Sequence, residues 1–122
     1  MSVEPQVSID VEGEESDVVV ARVSGEIDLA SADAVGGELA TAVPNRALGL
    51  VLDLSLTSYL DSSGVSLIFE LAERLRRRQQ QLRLVVPDGA PLLRVLRIVN
   101  AGGVVAIDPS VDAAVERVRA ES

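Results

Sequence analysis

The run Asp61-Ser62-Ser63-Gly64 concentrates the residues of this chain whose types and order suit chemistry. It stands between a strand-like run, Gly49 to Leu54, and a helix-like run that begins near Val65. A small hydroxyl residue is thereby set at a helix N-terminus, where backbone N–H groups lack intrahelical partners and the helix dipole is positive. Such a place suits an oxyanion, including a phosphate carried by a serine. Asp and Ser are also the ordinary N-cap residues, and on physics alone capping without further function is the simpler account of the run. A second constellation is Asp28, Asp53 and Asp61, three carboxylates that could hold a divalent cation if strand ends bring them together. Neither Lys nor His is present to assist them.

Composition narrows the function classes. A chain of 122 residues reads as one domain with one core. Hydrophobic residues make up 48% but aromatics only 2%, so Val, Leu, Ile and Ala must fill that core. Cys and His are absent, which removes a disulfide framework, a thiol nucleophile and an imidazole base. A net charge of -8 argues against a nucleic-acid binder and against adhesion to an anionic membrane. No apolar run is long enough to span a bilayer, and no signal-peptide pattern opens the chain. The cytoplasm is the simplest compartment. Glu12, Glu14, Glu15 and Asp17 form an acidic cluster around Gly13, expected at a solvated hairpin tip. Arg74, Arg76, Arg77 and Arg78 form a basic cluster, expected to complement the C-terminal end of a helix.

The elements that must position the serine run follow from periodicity. Val7 to Val11 alternates apolar and polar residues, Val18 to Val23 is β-branched, and the polar stretch between them is a turn, which predicts a hairpin. After the Gly25-Glu26-Ile27-Asp28 turn, Ser31 can cap a helix through about Val43, weakened by Gly36-Gly37. Gly49 to Leu54 reads as a central strand buried on both faces. A long helix is expected from about Ser63 to Gln80. Leu82 to Val86 is a strand, Pro91 to about Val99 a helix, and Val104 to Ile107 a last strand. Asp108-Pro109-Ser110 opens a final amphipathic helix. The fold class is α/β in the order β-β-α-β-α-β-α-β-α. It combines a mostly parallel sheet, an N-terminal antiparallel hairpin and about four helices. The first few residues read as unstructured.

On these motifs the chain resembles a known family. Gly25-Glu26-Ile27-Asp28 before the first helix, then Val51-Leu52-Asp53-Leu54, then Tyr59-Leu60-Asp61-Ser62-Ser63-Gly64-Val65, look like the bacterial anti-sigma factor antagonists. These are single-domain members of the STAS family. The likeness runs from about Val7 to Val118 within one domain of 1–122, and includes the Asp-Pro-Ser turn. It implies that Ser62 is the phosphoacceptor of a serine kinase that is also the anti-sigma factor. The unmodified antagonist would bind that anti-sigma factor and free a sigma factor, and a serine phosphatase would reset the modified form. The resemblance implies no catalysis, cofactor, metal or direct nucleic-acid contact. Two departures stand out. Asn100-Ala101-Gly102-Gly103 replaces a Thr-Gly-Leu-like segment, and Val65-Ser66 stands where Leu-Gly is frequent. The alternative is a STAS interaction module in another sensory or transport assembly.

A docking face can be sketched from the helix period. Ser62, Ser66, Phe69 and Glu73 fall on one stripe, and Val65, Ile68, Leu71, Ala72 and Leu75 on another that should face the sheet. The expected partner-binding residues are therefore Asp28, Asp61, Ser62, Ser63, Gly64, Ser66 and Phe69. Phe69 has two readings, a partner contact on the exposed stripe or a cover for the rim of the core; the first is preferred, and it expects Phe69→Ala to spare stability and to weaken partner binding by roughly 1–2 kcal/mol.

Overall fold

The structure, a computed structural model, describes residues 7–100 and 103–122. The first six residues, read above as unstructured, and the Ala101-Gly102 part of the breaker segment lie outside the described residues. The elements are β1 (Val7–Glu12), β2 (Val18–Ile27), α1 (Ala32–Ala42), β3 (Gly49–Asp53) and β4 (Thr57–Leu60). They continue with α2 (Ser62–Arg77), β5 (Gln81–Val85), α3 (Pro91–Val99), β6 (Ala106–Asp108) and α4 (Val111–Ala120). One sheet runs β1-β2-β3-β5-β6, with β4 also pairing with β2. The β1–β2 hairpin is antiparallel and every other pairing is parallel. This is the expected α/β class, its mostly parallel sheet and its edge hairpin.

The strand β4 is the main addition to the sequence reading. β2 is ten residues long and β3 only five, so the last part of β2 runs past its neighbour. β4 supplies the missing partner, with Gly25 opposite Thr57 and Ile27 opposite Leu60 across a register shift. The Gly25 N–H donates to the Leu56 carbonyl at 3.0 Å, and Thr57 Oγ1 donates to the Val23 carbonyl at 2.8 Å. β4 therefore carries the chain along β2 and delivers Asp61 to the end of the sheet.

The two faces of the sheet are covered unequally. Side chains alternate along a strand, so Val19, Ala21, Val23, Leu50, Leu52 and Leu84 meet α1, α2 and α3 in the main core. Val18, Val51 and Val85 face the other way and pack against Ala114 and Val118 of α4. On that side the buried Arg83 donates to Asp108 at 2.6 Å and to Glu121 at 2.9 Å, joining β5, β6 and α4. Ser110 caps α4 by accepting the Ala113 N–H at 3.2 Å, as the Asp-Pro-Ser turn leads one to expect. The last strand is shorter and later than expected. Asn100 clasps Val105 through both its side-chain oxygen and its nitrogen, and Val104 is left outside, 69% exposed.

Charge clusters behave as solvated ends. Arg76 and Arg77 pair with Glu73 within α2, while Arg78 reaches the Val43 carbonyl and Asn45. Asp17 at the hairpin pairs with Arg119 of α4. Asp53 does not join Asp61. Its carboxylate accepts Arg22 Nε at 2.9 Å and the Ser55 N–H at 2.9 Å. The cation constellation considered above is thus taken apart, with Asp53 committed to an ion pair at the end of β3.

Phe69 settles between the two readings. It is half-buried, packs against the main core, and lines a small crevice with Val65, Ile68, Leu96 and Val105. On the helical wheel it borders Ser62, yet it shares the crevice with Leu96 and Val99 of α3. The rim-of-core reading is the one the packing matches. Phe69→Ala is expected to lower stability by about 2–3 kcal/mol, below the roughly 3–5 of a fully buried Phe; urea denaturation checks this.

Burial pushes the Asp53 carboxyl up, but the Ser55 N–H and the Arg22 guanidinium outweigh it and hold it below the ordinary carboxylate range. A folded-state pKa that is depressed gives stability that is present above the unfolded pKa and lost as pH falls through the folded one. Arg22 is 48% exposed, so solvent screens much of the pair. Asp53→Asn is expected to cost about 1–2 kcal/mol at neutral pH. That difference from wild type should shrink below about pH 4, as followed by denaturation at a series of pH values.

Candidate functional site

The site is built on Asp61. Its backbone is extended, and its side chain caps α2 by accepting the Ser63 N–H at 2.8 Å and the Gly64 N–H at 3.1 Å on Oδ1. The other oxygen, Oδ2, accepts the Leu29 N–H at 3.1 Å from the loop between β2 and α1. The Asp61 N–H in turn donates to the Ile27 carbonyl at 3.2 Å. One side chain thus satisfies two orphan donors of the helix and ties down a loop 32 residues away in sequence.

Asp28 organises that loop from within. Its Oδ1 accepts the N–H groups of Ala30 at 3.0 Å and Ser31 at 3.1 Å, and its own N–H donates to Ser31 Oγ at 3.1 Å. The Asp28 side chain is consumed by the turn, so its contribution to the site is to shape the loop that faces Ser62. Ser31 stands at the start of α1 as expected, but its hydroxyl serves this turn rather than the first N–H groups of the helix.

Ser62 is exposed at the first position of α2, and its hydroxyl, like those of Ser63 and Ser66, makes no hydrogen bond among the described residues. Ser63 is half-buried and Ser66 exposed, and both share with Ser62 a groove of about 540 Å3 between α1 and α2. Gly64 is buried. A Cβ there would collide with Leu60 Cδ1 and come within 3.0 Å of the Ile27 carbonyl oxygen. Its role is close approach of α2 to the strand ends, not surface contact.

The structure changes one part of the anion argument. The N–H groups of Ser63 and Gly64, which would cradle an oxyanion, are already taken by Asp61. A phosphate on Ser62 would therefore project into the groove beside an existing carboxylate. The α1 wall of that groove was not legible in the sequence. Gly36 and Gly37, read only as helix-weakening, form part of it, with Leu29 at its rim and Asp33 beside it. Gly36 has a packing reason, since its absent Cβ would sit 2.6 Å from Leu67 Cδ1. The one signal for Leu29 is an isolated large apolar residue inside a polar Asp-to-Ser turn.

Removing the Asp61 carboxylate strips two helix N–H groups and the Leu29 N–H of their acceptor. Asp61→Ala is expected to cost about 1–3 kcal/mol, read from chemical denaturation. Amide exchange at Leu29, Ser63 and Gly64 should speed up in the same variant, whereas exchange in β3 should not beyond the global change.

Comparison with known proteins now bears on this geometry. The model of the STAS domain matches residues 8–114. The anti-sigma-B factor antagonists of Listeria monocytogenes and Listeria innocua are each 32% identical over 78 residues, 64% of this chain and 68% of theirs. An anti-sigma factor antagonist from Mycobacterium paratuberculosis has the same fold with TM-score 0.80 at 27% identity, over 98% of this chain and 99% of that one. The anti-sigma factor antagonist SpoIIAA in its unphosphorylated form gives TM-score 0.72 at 22% identity, over 93% of this chain and 97% of its own. The phosphorylated form of SpoIIAA from Bacillus gives 0.63 at 22% identity, over 91% and 99%. At that identity the last two likenesses are of fold alone. The chain belongs to the STAS domain family and, within it, to the anti-sigma factor antagonists.

Proposed function

We propose that this protein is a cytoplasmic partner switch, not an enzyme. Unmodified, it binds a kinase-type anti-sigma factor and releases a sigma factor; phosphorylated on Ser62, it lets the anti-sigma factor go; a serine phosphatase restores it. One observation supports this above others. Ser62 is an exposed hydroxyl without an internal partner among the described residues, it lines a groove, and the two carboxylates nearest it in the cap and the β2–α1 turn are engaged by the backbone. A kinase can take such a hydroxyl without unfolding anything. The 32% identity to the anti-sigma-B factor antagonists of Listeria supports the same reading.

The physical effect of the modification is local. A phosphoserine adds about -1.5 to -2 charges to a chain already at -8. The capping N–H groups are occupied, so the charge stays in the groove and hydrated. A partner surface that must exclude water there is disfavoured. Asp28 and Asp61 hold the face in shape, while Ser62, Ser63 and Ser66 form it.

The test is phosphorylation followed by binding. Incubation with the cognate anti-sigma factor and ATP should place phosphate on Ser62, and Ser62→Ala should abolish it. Phosphate on Ser63, Ser66 or Thr57 with Ser62 bare would defeat the assignment. By calorimetry Ser62→Ala should keep affinity for the anti-sigma factor, while Ser62→Asp should weaken it by about tenfold, or 1.4 kcal/mol. The effect is partial because Asp carries less charge than phosphate.

A further inference from the structure

Leu29 is 80% exposed, more than any other large apolar side chain among the described residues. Single exposed apolar residues are ordinary. This one is not on a loose loop. Asp61 Oδ2 fixes its N–H, and the Asp28 and Ser31 side chains close the turn around it. A rigid turn thus holds an aliphatic side chain in solvent at the rim of the groove that contains Ser62.

The groove beneath it has a bare floor. Leu67 Cδ1 fills the space beside Gly36, but a Cβ on Gly37 would meet no heavy atom within 4 Å. Asp33 on α1 and Glu70 on α2 both line the groove, and neither makes an ion pair among the described residues. The one lining cation is Arg74, twelve residues along α2 from Ser62, about 18 Å at the helical rise. Glu70 lies one helical turn from Arg74 and about 12 Å along α2 from Ser62, so the Ser62 end of the groove combines an apolar rim, exposed backbone and the Asp33 carboxylate, with no lining cation near enough to neutralise an added phosphate.

We propose that Leu29 is a specificity-determining contact of this face. The groove receives from the anti-sigma factor an apolar side chain, packed between Leu29 and the backbone at Gly37. A neighbouring basic side chain of the same partner meets Asp33 and Glu70. This rests on the antagonist reading above and extends it to a surface that the serine run does not contain. It also explains why phosphate at Ser62 opposes docking. An apolar group seated against Leu29 strips water from the phosphate, and burying an uncompensated charge is strongly unfavourable.

Titration calorimetry of the cognate anti-sigma factor against variants tests this. Leu29→Ala and Gly37→Leu are each expected to weaken binding about tenfold or more. Denaturation midpoints should stay near wild type, because Leu29 is exposed and Gly37 faces open space. Glu70→Arg should weaken binding and flatten its salt dependence. If Gly37→Leu proves unstable, Leu29→Gln, which disturbs no packed contact, decides the question. Affinities for Leu29→Ala and Leu29→Gln within about twofold of wild type, alongside a weakened Ser62→Asp, would overturn the proposal and leave the antagonist reading intact. A wild-type chain that neither binds its candidate anti-sigma factors nor accepts phosphate from them would instead sink the reading itself.

Discussion

The Asp61 carboxylate is the interaction on which the rest of the site depends. It accepts two N–H groups of α2 on one oxygen and the Leu29 N–H on the other. Hydrogen bonds to an ionised acceptor are stronger than neutral ones, and the negative charge also complements the positive end of the helix. One residue therefore fixes where α2 starts, where the β2–α1 loop lies, and how the two are spaced. What brings Asp61 there is the unequal length of neighbouring strands. β2 outruns β3, β4 fills the gap, and the chain leaves β4 directly into the cap.

Around that carboxylate the polar groups divide into engaged and free. Asp28, Ser31 and Asp61 spend their side chains on the local backbone. Gly64 is spent on close packing against Leu60 and Ile27. The hydroxyl of Ser62, like those of Ser63 and Ser66, has no internal bond to lose among the described residues. A substitution that touches the engaged group alters shape and stability together, while one at Ser62 alters surface chemistry. This separation would let a covalent charge be added at Ser62, as proposed, without removing any internal hydrogen bond, and it follows from where the neighbouring hydrogen bonds go rather than from the serine itself.

Sequence periodicity was a good guide where one period ran uninterrupted. The hairpin, the doubly buried β3, the long α2 and the Pro-initiated α3 stand close to where alternation and helical spacing put them. β4 was missed because Thr57-Ser58-Tyr59-Leu60 is too short and mixed to show a period; its strand identity comes from pairing with the overhang of β2. Phe69 was placed on the right edge of α2, but a helical wheel gives an angle and not the neighbour met at that angle. The neighbour is α3. The α1 wall of the groove was illegible for a similar reason. Gly36-Gly37 looks like a defect in a helix until Leu67 is found occupying the space that a Cβ would need. Asp61 was read as cap or functional residue, and the structure gives it a structural role that reaches beyond its own helix.

The asymmetry of the two sheet faces carries one more consequence. On the α4 side the buried Arg83 is held by Asp108 and Glu121, and breaking such a pair leaves an uncompensated charge. That face is closed by both apolar packing and ions. On the other side α1 and α2 leave between them a groove lined by Gly36, Gly37, Ser62, Ser63 and Ser66. If Ser62 is modified as proposed, the added charge has no bistable element to move among the groups described. Its effect would then be exerted on whatever approaches the groove, through charge and hydration. The energies are adequate, since a charge left unpaired on desolvation costs several kcal/mol, while about 1.4 kcal/mol already changes affinity tenfold. A switch of this kind needs a rigid site more than a mobile one, and the Asp61 clasp supplies that rigidity.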